Sequence, residues 1–361
     1  MYRKKNGEKN MSKIRNSEGF TLMELMIVLV IMGFLIAMLA PRLGGLMGDA
    51  IDTVCDTNNK GIREFVREWQ LNQGSGSEER LPDRLVTMVN ANTADPDVLP
   101  GGIVMPEVDN RIPSDGAETL CHEFVYRNKP YLHILTADEA DELINMGISQ
   151  LMVLNDADGS DAQGFTGTPM ELHNVMNGLG VLMVGAGDTD GNGTWEVPND
   201  CDMAANYAAY EADVANMTGL VAAPSGLNGD HGNPYWMYRI LAGVGPDCQL
   251  VTEGIVMNAA GCPGGLQNSD NVTYNLYCMV LPRLEATVGF DQDGNSVGGS
   301  LTGSGLPAVI DVKATDTGEE KTWDFRSAEP AYMFEATCPE GHKWPDNETE
   351  MWSITAAPTL F

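Results

Sequence analysis

An α+β fold is predicted: a long N-terminal α-helical spine with a membrane-spanning first half, packed on a loop-rich, mainly antiparallel β-sheet head with large insertions. Three observations predict it. Residues 25–40 form an apolar run that no charge interrupts, preceded by a basic flank. Apolar residues then recur at three- and four-residue steps as far as Trp69. Beyond that, 40 glycines and 19 prolines in 361 residues, with Asn and Asp clusters between short β-branched runs, describe a head of short strands and long loops.

The helix comes first. At about 1.5 Å per residue, residues 20–40 give roughly 30 Å of helix, enough to cross the hydrocarbon core of a bilayer. Arg3, Lys4, Lys5, Lys9, Lys13 and Arg15 precede it, opposed only by Glu8 and Glu18. Such a flank stays on the cytoplasmic side, so the remainder is expected outside. A secretory signal would offer small residues for cleavage after the apolar run, whereas Ala40 leads into Pro41 and Arg42. The apolar segment is therefore expected to be kept.

Glu24 is the anomaly in this segment. A carboxylate in an apolar helix is neutralised or paired, because burying it alone costs several kcal/mol even after relaxation. The sequence around it, Gly19-Phe20-Thr21-Leu22-Met23-Glu24, resembles the signal of type IV prepilins and of type II secretion pseudopilins. The resemblance covers about residues 12–70. It implies cleavage after Gly19 by prepilin peptidase, a membrane aspartyl protease, with N-methylation of the new first residue, Phe20. It also matches Glu24 to the family glutamate, Gly33 to a helix-loosening glycine and Pro41 to the helix proline. A start at Met1 gives a 19-residue leader, and a start at Met11 a nine-residue one that suits the family better.

The expected chemistry follows from that cleavage. The freed Phe20 amine lies about one helical turn from Glu24, so a neighbouring copy shifted along the axis can bring its own amine to this carboxylate in a low-dielectric core. Methylation leaves the amine basic. Gly33 weakens a helix by about 1 kcal/mol and Pro41 by about 3, so the stretch between them, prolonged by Gly44, Gly45 and Gly48, can loosen when copies pack.

The second half of the helix shows an apolar stripe at Ile51, Val54, Ile62, Phe65, Val66 and Trp69, with Asp52, Asp56, Lys60, Arg63, Glu64, Arg67 and Glu68 opposite. The turn at residues 73–77 ends it. The expected organisation is a leader at 1–19, a pilin-type helix at 20–72 and an extracytoplasmic head at 73–361, built as one domain or two subdomains. Strands are expected at residues 123–126, 150–154, 180–184, 236–241, 250–256, 274–281 and 308–312. One helix is expected over residues 137–146, capped by Thr136 with Glu139 in the capping-box position and stopped by Gly147.

The formal charge is −30, from 21 basic and 51 acidic residues. Loss of a leader carrying six bases and two acids leaves 15 bases and 49 acids, or −34. That surface repels nucleic acid and attracts cations. Asp188, Asp190, Asn192, Thr194 and Glu196, at alternate positions around Gly193, resemble the first half of a calcium loop. The twelfth position is Asn199 rather than Glu, so the pattern is not an EF-hand. Residues 291–295 and 156–161 are weaker copies. Calcium is the single cofactor the pattern suggests, and none is required.

Seven cysteines are present. Outside the cytoplasm, Cys121, Cys201, Cys248, Cys262, Cys278 and Cys338 can form three bridges, one of them local among Cys248, Cys262 and Cys278, with Cys55 on the helix as the odd thiol. No Cys-x-x-Cys pair, Gly-x-Ser-x-Gly, His-Glu-x-x-His or phosphate loop occurs, so no enzyme is expected. The resemblance implies an inner-membrane precursor whose partners are prepilin peptidase, the assembly machinery and further copies of itself. Its product is the structural subunit of an extracellular type IV pilus-like filament. A pseudopilin or minor pilin, and an adhesin head on a pilin-type anchor, are the alternatives.

Overall fold

The computed structural model describes residues 22–74, 79–91, 103–104, 107–109, 118–121, 124, 127–155, 170–185, 187–189, 191–196, 231–256, 276–339, 341, 343 and 351–361. The chain divides into two compact units, Met1–Ala50 and Ile51–Phe361. The division falls inside the first helix.

Helix α1 (Leu22–Gln73) runs for 52 residues, and its backbone stays helical through Gly33 and Pro41. Among the described residues no helix is long and apolar enough to cross a membrane. The span expected at 20–40 includes Phe20 and Thr21, which lie outside the described residues, as do the side chains of Glu24 and of residues 33–40.

In the second unit, α1 buries Cys55, Asn59, Ile62, Val66, Trp69 and Gln70. This row differs from the expected stripe: Val54 is 46 % exposed and Phe65 is half-buried. Two of the buried positions are amides, which a search for apolar periodicity passes over. Polar anchors complete the packing. Trp69 Nε1 donates to Glu253 Oε2 at 2.8 Å, Gln70 Nε2 to the Arg80 carbonyl at 2.8 Å, and Asn58 Nδ2 to Tyr277 Oη at 3.0 Å.

A nine-stranded sheet holds β1 (Leu85–Ala91), β2 (Ile103–Val104), β5 (Tyr131–Ile134), β6 (Gln150–Asn155), β7 (Met170–Asn174), β8 (Gly180–Met183), β10 (Ile240–Gly243), β11 (Cys278–Val280) and β14 (Glu335–Thr337). Its main path is β14-β11-β10-β1-β6-β7, with β8 joined to β10 and β5 to β8. A five-stranded sheet holds β9 (His231–Gly232), β12 (Pro307–Ala314), β13 (Glu320–Asp324), β15 (Trp352–Ile354) and β16 (Thr359–Leu360). Strands β3 (Glu107–Asp109) and β4 (Glu118–Cys121) form a separate parallel pair. Among the described residues the other parallel pairing is β1 with β6, at Leu85↔Leu151 and Val86↔Met152.

The crossover between β1 and β6 contains α2 (Ala137–Asn145). Both halves of its capping box are formed: Glu139 N–H donates to Thr136 Oγ1 at 3.3 Å, and Thr136 N–H donates to Glu139 Oε2 at 2.8 Å. Gly147 ends the helix at φ +100°, where a Cβ would also lie 2.9 Å from the Leu81 carbonyl oxygen, so glycine is required there twice over.

Strands expected at 150–154, 180–184 and 308–312 fall within β6, β8 and β12, apart from Val184, which follows β8. Others differ. Residues 250–256 are not a strand: α3 (Gln249–Thr252) and a turn occupy them, with Leu250 buried. A short apolar run carries no period long enough to separate helix from strand. In the run 236–241 the strand begins only at Ile240, because Trp236 N–H bonds back to the Asn233 carbonyl and Tyr238 sits at φ +63°. Of residues 274–281, the strand keeps Cys278–Val280, and Phe124 within 123–126 is helical. The central strand β1 escaped the sequence reading. It is irregular, with a register shift between Val86 and Asn90 and Met88 at φ +57°.

Candidate functional site

The N-terminal part of α1 has no packing of its own. Leu22, Met23, Leu25, Met26, Ile27, Val28, Leu29, Val30, Ile31 and Met32 are all 50–80 % exposed, so apolar surface faces outward all round the helix. A helix of this kind is stable only when lipid or protein covers it. Burying a large aliphatic side chain is worth about 1.5–3 kcal/mol, so covering these ten releases on the order of 10–20 kcal/mol. The segment can therefore drive association. Gly19, Phe20 and the side chains of Glu24 and Pro41 lie outside the described residues, and of Gly33 the helical backbone alone is described.

The 188–196 loop is folded onto itself. Asp188 is fully buried; its Oδ1 accepts from Gly191 N–H at 2.6 Å and Asn192 N–H at 3.1 Å, and its Oδ2 from Gly193 N–H at 2.8 Å. Glu196 accepts from Thr189 Oγ1 at 2.6 Å, Asn192 Nδ2 at 2.8 Å and Thr194 Oγ1 at 3.1 Å. Asn192 Oδ1 accepts from Thr194 N–H at 2.9 Å. A cation entering here has to displace the hydroxyl and amide donors from Glu196. Asp190 lies outside the described residues, and among those described no group of three His, Cys, Asp or Glu side chains is placed to hold a metal. Asp291 closes a turn in a similar way, accepting from Asp293 N–H, Asn295 N–H and Asn295 Nδ2. Residues 156–161 are outside the described set.

Two of the six cysteines expected to form bridges are reduced. Cys248 and Cys278 are buried free thiols. Cys248 stands at the N-cap of α3, and burial pushes its thiol up to about 12; Cys278 lies within the β11 ladder, where burial raises it further. Secondary-structure position and burial, neither visible in cysteine spacing, separate these two from a local bridge. Cys338 is buried. Cys55 is also buried, its Sγ accepting from Tyr277 Oη at 3.4 Å. Cys201, Cys262 and the side chain of Cys121 lie outside the described residues.

Two buried ionic clusters were missed from sequence. Glu139, read only as a capping residue, is fully buried. It accepts from His133 Nε2 at 2.9 Å, Thr287 Oγ1 at 2.7 Å and Ser300 Oγ at 2.6 Å, besides Thr136. Burial opposes its ionisation, yet the hydrogen bonds and charge of His133, with Ser300 and Thr136, hold the carboxyl down at about 2. One turn on, Glu142 accepts the Glu285 and Ala286 N–H groups at 2.8 Å each, at the start of α4 (Glu285–Val288). Burial raises Glu142 despite those bonds. In the second cluster, Arg283 bonds Glu329 and donates to the carbonyls of Met237, Pro234 and Tyr235, while Arg239 Nη2 reaches Glu329 at 2.8 Å. The partners in both clusters lie up to 161 residues apart, so no local motif announces them. Each binds distant segments of its own chain together, and both act as fasteners of the fold.

Residues 14–40 match the family model for the prokaryotic N-terminal methylation motif. No curated protein and no solved structure matches the chain.

Proposed function

We propose that this chain, which carries the type IV pilin and pseudopilin signal at residues 14–40, is the structural subunit of an extracellular pilus-like filament. The observation that supports the reading is the apolar helix directly after the cleavage point, exposed on every side in the single chain. The precursor sits in the inner membrane by that helix. Prepilin peptidase cuts after Gly19, and the helix then exchanges lipid for the helices of other copies. Glu24 and the neighbouring copy's Phe20 amine set the register, since each ion is costly alone in a dry core and tolerable as a pair. Gly33 and Pro41 supply the give that packing requires.

The test is mass spectrometry of shed filaments. The expected N-terminal peptide begins at N-methylated Phe20; retention of the basic leader in the assembled form sinks the proposal. Pseudopilins share the same signal, and abundance distinguishes the two: this chain as the bulk of purified filaments is a major pilin, whereas trace amounts make it a pseudopilin or minor pilin. Calcium at Asp188, Asp190, Asn192, Thr194 and Glu196 is a further proposal, supported by the ligand spacing alone. A melting temperature unchanged between calcium and a chelator would remove it.

A further inference from the structure

The five-stranded sheet carries a cationic spot on an otherwise strongly acidic chain. Tyr235 lies between two lysines: Lys343 Nζ stands 4.8 Å from its ring centroid and Lys321 Nζ 5.7 Å, with Lys321 also donating to Tyr235 Oη at 3.2 Å. The ring is fixed edge-on against Trp323, centroids 4.5 Å apart, and Trp352 behind it is fully buried. Tyr235, Lys321, Trp323 and Lys343 are each half-buried, so the ammonium groups rest on an aromatic floor while the spot stays open to solvent. Lysine heads held this way have already lost much of the side-chain freedom that binding would otherwise cost. Lys321 reaches Glu319 Oε1 at 3.2 Å, but Lys343 meets no carboxylate among the described residues. Among the described residues the two positive charges therefore share one carboxylate, that of Glu319.

We propose that this surface docks a carboxylate from a second copy of the chain, joining neighbouring heads in the filament; the inference rests on the filament reading above. Charge complementarity selects the occupant. With 49 acidic residues against 15 basic once the leader is lost, the group a subunit meets most often when copies are crowded together is a neighbour's carboxylate. Chains of net charge −34 repel one another, so a packed array needs points of opposite sign at its contacts.

The test is zero-length carbodiimide cross-linking of native filaments followed by peptide mass spectrometry. The expected result is a dimer band containing Lys343 or Lys321 joined to an Asp or Glu. The Lys321 cross-link, whose amine is kept in every variant, should fall about tenfold or more in Lys343→Glu, through like-charge repulsion, and persist in Lys343→Arg, whose guanidinium keeps the charge but offers no amine to the reagent. An unchanged melting temperature of Lys343→Glu shows that the head still folds, and a variant that does not fold is replaced by Lys343→Gln. Wild-type filaments whose cross-links leave out both lysines, or a Lys321 cross-link that persists undiminished in folded Lys343→Glu or Lys343→Gln, overturn the docking proposal and leave the filament reading intact. Wild-type protein that makes no filaments overturns both.

Discussion

The N-terminal stretch of α1 and the unit from Ile51 onward are rich in the same apolar residue types and meet opposite fates. From Leu22 to Met32 every described apolar side chain is at least half exposed, whereas Leu85, Val86, Met88 and Val89 of β1 are fully buried. In the second unit apolar faces meet, and buried Arg239 and Arg283 are paired with Glu329. In the first, the described apolar side chains find no such cover within one chain. Hydrophobic surface is thus used for folding in one region and held in reserve for association in the other, and the switch occurs within a single helix.

The largest effect expected from breaking this contrast is at Glu24. Glu24→Ala leaves an apolar helix that still anchors but has lost its register partner, so processed protein accumulates while filament yield in the sheared fraction falls to background. Normal filaments from this variant would remove the residue from assembly. In the second unit, Trp236→Ala removes a fully buried ring that stacks on Phe124 and donates to Glu335 Oε2 at 2.8 Å. It should cost about 3–5 kcal/mol in denaturant unfolding without touching the N-terminal helix. A loss below about 1 kcal/mol would show that this core tolerates a void.

The acids of α2 sharpen the comparison through pH. Glu139 is held at about 2 against its usual 4.5, so its stabilisation is complete above 4.5 and drains away as pH falls towards 2. At about 1.4 kcal/mol per pH unit that amounts to about 3 kcal/mol. Glu142 has the opposite sign: its folded value lies above 4.5, so what it contributes is full below 4.5 and is lost as pH rises through the raised value. Urea unfolding from pH 2 to 7 should show Glu139→Gln flattening the acid limb and Glu142→Gln flattening the limb above 4.5. Identical slopes in wild type and both variants would dismiss the assignment. The smallest change is expected at the exposed pair Lys60–Glu64, 3.6 Å apart on α1, where Lys60→Ala should alter stability by about 0.3 kcal/mol. A loss several times larger would mark that face of α1 as covered.

Legibility in the sequence followed the range of the interaction. α2 could be read because Thr136, Glu139 and Gly147 carry its start and stop within a dozen residues. The N-terminal segment could be read because composition alone defines it. Strand β13 could not: Glu320, Lys321, Thr322 and Asp324 look like a polar turn until β12 pairs with them at Val309↔Asp324 through Lys313↔Glu320. The run 250–256 looked extended because Val251, Thr252, Ile255 and Val256 favour strands, and the Glu253 N–H bond to the Gln249 carbonyl at 2.9 Å overrode that preference. Of the candidate site, the N-terminal signal was legible through a short motif, and the methylation-motif model matches it over residues 14–40. The gathering of Tyr235, Lys321 and Lys343 was not, since it depends on where separate strands are laid down.

The sealed sulfurs at Cys248 and Cys278 set an order of events. Once folded, they are out of reach of any oxidant. Before that, each is an open, reactive handle, and on the filament reading proposed above the head folds in oxidising surroundings. On that reading maturation is a race between closing the sheet and oxidation, and chains that lose it carry wrong cross-links in the head.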